Sequence, residues 1–151
     1  MRLSLVDLAP RHLEITRAWR NHPASRAWFG DAREITKEAQ RAWFAGRAND
    51  PGDRIFILED DGRPVAQFSV YRIEGDAAEV GRFLVDPAAR RRGYFSKGFA
   101  LLVDRMRSMG IVHTRLVVKK ANAGAIAACV RCGFRKVGDA GDDARMELDL
   151  R

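Results

Sequence analysis

At 151 residues, with 46% hydrophobic and 31% charged side chains, the chain has the size and composition of one globular α/β domain spanning 1–151. No apolar run approaches the ~20 residues of a membrane span, and the first seven residues are too short and polar for a signal peptide. A cytoplasmic protein is expected, and the net charge of +7 points to an anionic partner.

Residues 2–6 alternate like a short edge strand. Leu8, His12, Ile15 and Trp19 recur at helical spacing, and Pro10 suits a first turn, so a helix is predicted from 10 to about 21, ended by His22-Pro23. Residues 22–34 show no period but carry Trp28 and Phe29. Thr36 caps a second predicted helix to about Ala45, and Asn49-Asp50-Pro51-Gly52 then breaks the chain. Three strands follow, at 54–59, 64–73 and 77–85, joined by turns at Asp60-Asp61-Gly62 and Glu74-Gly75-Asp76. A helix to about Met109 presents Phe95, Phe99, Leu102, Val103 and Met106 as its apolar stripe, and Gly110 ends it. Residues 111–118 form an apolar strand, Asn122 caps a last helix that stops at Gly133, and strands at 135–138 and 146–150 flank a turn at 139–143. The predicted order is β-α-α-β-β-β-α-β-α-β-β.

The stretch from Val80 to Gly93 carries the most chemistry. It is a strand, an Asp86-Pro87 turn and a basic loop, Arg90-Arg91-Arg92-Gly93, opening a helix. Backbone N–H groups at a helix mouth bind phosphate oxygens, and arginines add charge-assisted contacts. A phosphorylated cofactor is the expected ligand. Nucleic-acid binding is the alternative that the charge allows, but no nucleic-acid motif accompanies the triplet, so no such partner is expected, nor a membrane.

Cys129 and Cys132 are the only cysteines, and His12, His22 and His113 stand apart. A structural zinc site needs four ligands, so no metal is expected and helix-packing cysteines are the simpler account.

The loop Arg90-Arg91-Arg92-Gly93-Tyr94-Phe95, with the stretch from Asn122 through Ala125 and Cys129 to Gly133-Phe134, resembles the GNAT superfamily of acyl-CoA-dependent N-acetyltransferases. Phe95 stands where that pattern has a small residue, which predicts a shifted or wider loop, and Cys129 stands where it has tyrosine. Trp19-Arg20-Asn21-His22-Pro23, Trp28-Phe29 and Trp43-Phe44 resemble the branch of ribosomal-protein N-terminal and nucleotide-aminosugar N-acetyltransferases.

The resemblance implies a mixed, mostly antiparallel sheet flanked by helices, with acetyl-CoA (coenzyme A) as cofactor. It implies acetyl transfer to a primary amine of a small acceptor, such as a nucleotide-linked amino-deoxysugar, by direct attack in a ternary complex. A protein N-terminus as acceptor and a non-catalytic acyl-CoA-binding module are the alternatives, and a homodimer is open. Phe83, Leu84 and Val85 are implied to pair with pantetheine amides, and Arg90, Arg91, Arg92, Gly93, Tyr94, Phe95 and Ser96 to meet the diphosphate. Asn122 and Arg131 are further cofactor contacts, although Asn122 also serves as a helix cap and Arg131 as a solvated charge. Glu79 is the implied base, the alternative being a solvated strand glutamate. Cys129 is either the acid for the leaving thiolate or packing, with Tyr94 as a second donor. On the acceptor side stand Arg20, His22, Trp28 and Phe29, rings and cations suited to stacking and anion pairing.

Overall fold

The computed structural model describes residues 1–29, 33–47 and 50–151. Strands β1 (Leu3–Asp7), β2 (Asp53–Asp60), β3 (Arg63–Glu74), β4 (Ala77–Val85), β5 (His113–Lys119), β6 (Arg135–Ala140) and β7 (Asp143–Asp149) form one seven-stranded sheet in the order β1-β2-β3-β4-β5-β7-β6. Every neighbouring pair is antiparallel except β4 and β5. The helices are α1 (Leu13–Asn21), α2 (Pro23–Arg26), α3 (Lys37–Arg47), α4 (Tyr94–Ser108) and α5 (Ala123–Arg131), with 3-10 turns at Pro10–His12 and Pro87–Ala89. None is long and apolar enough to cross a membrane.

The mixed, mostly antiparallel α/β architecture is the expected one. Short α2 is an addition. His22 closes α1 and then caps α2, its ring Nδ1 accepting from the Ala24 N–H at 3.1 Å, and Pro23 fills the first turn. The C-terminal hairpin also differs. Its strands run to Ala140 and from Asp143, so the expected turn at 139–143 contracts to Gly141-Asp142. Position 49 of the expected breaker, and positions 30–32 of the aperiodic stretch, lie outside the described residues.

Alternation along β3 assigns the two sheet faces. Phe68 turns toward α4, where Gly98 makes the approach possible: a Cβ there would lie 2.7 Å from the Phe68 ring. Phe99, Leu102 and Met106 of the predicted stripe are buried with Phe56, Leu58, Val70 and Val80, and Phe95 and Val103 pack at the margin. Gln67, on the opposite face, looks toward α1 and α3. That division leaves one side of β4 for each half of the candidate site.

Candidate active site

β4 pairs with β5 only through Ala77, Ala78 and Glu79, opposite His113, Thr114 and Arg115. Beyond Glu79 the strands part. The cause lies in β4, where the pairing with β3 slips between Gln67 and Ser69 and Arg82 adopts a φ of 51°. Such a bulge bends its strand away from a neighbour. A cavity of about 290 Å³ opens between Gly81, Arg82 and Phe83 on one side and Leu116 to Lys119 on the other. The β4 edge facing it has no strand partner, and buried backbone groups require one. An extended ligand carrying amides satisfies such an edge, as pantetheine would.

The groove continues to the start of α4. Arg91 and Gly93 both take left-handed backbone, with φ of 65° and 78°, which curls the chain so that successive N–H groups converge. The first turn of α4 carries no acidic residue, so its positive end is uncompensated. Phe95 does not obstruct this turn. Its ring is directed into an aromatic cluster, 5.2 Å from Phe83 and 5.9 Å from Phe68 between centroids. The chain thus has the curled N–H loop and the cations that a diphosphate requires.

The groove has a volume of about 620 Å³, and its walls include Phe83, Leu84, Val85, Arg90, Arg91, Gly93, Tyr94, Phe95, Ser96, Asn122 and Arg131. Arg92, also expected here, is exposed outside that wall. The wall gains Ser25, which accepts from Arg90 at 3.3 Å, and the small residues Gly124, Ala125 and Ala128 of α5. The alanine run was the available signal, since a helix face without long side chains admits a ligand closely. Asn122 caps α5, its Oδ1 accepting from the Ala125 N–H at 3.2 Å, which leaves its NH₂ to donate.

The two expected proton donors have different surroundings. The Tyr94 hydroxyl donates to Asp60 at 2.5 Å, and this bond is the main reason the Asp60 carboxyl lies below its usual range. Cys129 is buried where the groove meets the inter-strand cavity, and burial, with a smaller contribution from Cys132, pushes its thiol up to about 11. Cys129 is therefore a thiol at neutral pH.

On the other sheet face lies a cavity of about 320 Å³ bounded by α1, α3, β3 and β4. Thr16, Arg17, Arg20, Gln40, Gln67 and Arg82 supply its polar wall, and Phe29, Ile35, Ala39, Trp43 and Leu84 its apolar one. Phe29 and Leu84 also line the groove, so the two spaces meet there. The Arg20 guanidinium lies 4.0 Å from the centroid of the Phe29 ring. Trp28 is half exposed at the groove, whereas His22 lines neither space.

Arg82, Gln67 and Arg17 are residues that sequence reasoning did not select. The Arg82 guanidinium lies over Tyr71, 4.2 Å from its centroid, and grips both oxygens of Asp53 at 3.1 and 3.2 Å. Asp53 also pairs with Arg47. Glu79 is held separately. Arg72 Nη1 donates to its two oxygens at 3.0 and 3.2 Å, Arg115 lies at 3.5 Å, and Glu79, after burial, helps to hold the Tyr71 hydroxyl above its ordinary value. Glu79 lines neither the groove nor the acceptor-side cavity.

The sequence from residue 13 to 134 matches the acetyltransferase (GNAT) family. The chain belongs to that family. Among curated relatives, the mycothiol acetyltransferase of Clavibacter michiganensis subsp. michiganensis is 33% identical over 136 residues, which is 89% of this chain and 39% of that protein. The chain thus spans about two-fifths of the length of the curated relatives it matches. The fold is that of the Vibrio cholerae spermidine N-acetyltransferase solved with CoA and spermine, at a TM-score of 0.88 and 18% identity, covering 99% of this chain and 96% of that one. An N-acetyltransferase from Staphylococcus aureus Mu50 matches over 100% of both chains, with a TM-score of 0.79 and 18% identity. GNAT membership and the groove agree on CoA as the cofactor.

Proposed function

We propose that this GNAT domain transfers the acetyl group of acetyl-CoA to a primary amine of a small acceptor, by direct attack in a ternary complex. The observation that carries the proposal is the junction at Phe29 and Leu84, where the groove fitted to CoA meets a separate cavity across the sheet edge. When bound, acetyl-CoA would supply a thioester carbonyl to the neutral amine and a thiolate as leaving group, which takes its proton from water. The free N–H groups of β4 beyond Glu79 are placed to polarise a carbonyl laid along that edge.

Glu79 is the proposed base. Because it lies outside the cavity wall, it takes the proton through water. Cys129 is proposed to donate a weak S–H hydrogen bond to the departing sulfur while keeping its proton. Transfer from a thiol near 11 to a thiolate of ordinary basicity runs uphill by about 3 kcal/mol.

The cavity volume of about 320 Å³ favours a small amine over a protein N-terminus, and admits a nucleotide-linked amino-deoxysugar only by its sugar end. The test is incubation with acetyl-CoA and a panel of amines, following free thiol and the mass of each product. An acceptor gaining one acetyl group supports the proposal. Acetyl-CoA binding without acetylation of any amine supports the non-catalytic module instead.

A further inference from the structure

We infer that the acceptor amine carries an anionic group of its own, a carboxylate or a phosphate, and that Arg82 recognises it. The inference rests on the acetyltransferase reading and names the class of acceptor. The cavity meets the groove at one end, and its polar wall holds Arg17, Arg20 and Arg82. Among the described residues, no aspartate or glutamate lines it.

Arg82 shares its carboxylate. Glu14 pairs with Arg17 at 2.5 Å, whereas Asp53 serves both Arg47 and Arg82, with Asp50 acting on Arg47. Burial holds the Arg82 and Arg47 guanidinium groups below their ordinary values. A partly buried cation that shares its carboxylate gains from an incoming anion, and a guanidinium fork matches carboxylate and phosphate oxygens. Ile35 and Trp43 receive an apolar body. A polyamine such as spermidine brings the opposite charge and is disfavoured.

The test uses matched amines built on the alanine, methionine and phenylalanine skeletons, each as acid, amide and decarboxylated amine. Phosphoethanolamine is set against ethanolamine, and spermidine is included. The expected kcat/KM for the anionic members exceeds that of their neutral partners by about tenfold or more. The carboxylate and phosphate arms show which anion is preferred. Arg82→Gln removes the preference and Arg82→Lys retains part of it. Equal or faster turnover of the neutral amines or of spermidine overturns the inference. Absence of turnover with every amine counts against the acetyltransferase reading, and calorimetry on the CoA-saturated protein then decides this one. Anionic members binding about tenfold tighter than neutral ones uphold it, and equal or weaker binding overturns it.

Discussion

The Gln67 side chain donates from Nε2 to the backbone carbonyl of Arg82 at 3.2 Å, fastening the bulge of β4 to β3. This bond supports the bend that parts β4 from β5. It also places Gln67 in the wall of the acceptor-side cavity, so donor and acceptor spaces share a support.

Gln67→Leu removes that bond and leaves a partly buried carbonyl without it, at a cost of about 1 kcal/mol. The expected result is a lower Tm together with weaker acetyl-CoA binding, because the free edge of β4 shifts. Calorimetry separates this from a purely local effect, which raises the acceptor KM and leaves the acetyl-CoA Kd unchanged.

Cys129→Ala tests the thiol. If the proton stays on Cys129, kcat falls by less than about tenfold, short of the ~10²–10⁴ of a true general acid. Stability supplies a second readout. The folded thiol titrates near 11 against an ordinary value of 9.0, so its contribution is complete below pH 9 and is lost as pH rises toward 11. The loss amounts to about 2–3 kcal/mol. Urea unfolding at pH 7.5 and pH 10.5 is expected to show this alkaline loss in the wild type and a smaller one in the variant.

Glu79→Gln is expected to lower kcat by about 10–100-fold. Relay through water keeps the loss at the low end. Arg72 and Arg115 hold the same carboxylate, so the variant's Tm is measured alongside. An unchanged kcat, with a lowered Tm, assigns Glu79 to fastening β4 instead.

Local signals made much of this architecture legible. The cap at Asn122, the stripe from Phe95 to Met106 and the basic loop before Tyr94 are each written within a few adjacent turns of chain. What escaped depends on partners distant in sequence. The Tyr94–Asp60 bond joins residues 34 apart, and the Arg82–Asp53 pair residues 29 apart. At the bulge the left-handed residue is Arg82 and not the adjacent Gly81, and α2 is too short for a period. β6 is exposed along nearly its whole length, so no apolar alternation marked where its hairpin begins to turn.

The most direct measurement of the central claim is calorimetric titration of acetyl-CoA into the wild type and Gly93→Asp. A Cβ at Gly93 meets nothing nearer than Lys97 at 3.7 Å, so the fold has room for the change. The substitution strains a φ of 78° and sets a carboxylate where diphosphate oxygens are expected. Micromolar binding by the wild type, weakened about 100-fold or more in the variant, is the expected result, a difference of ~2.7 kcal/mol. Equal affinity in the two proteins, or no binding by the wild type, would contradict the assignment of this loop to CoA.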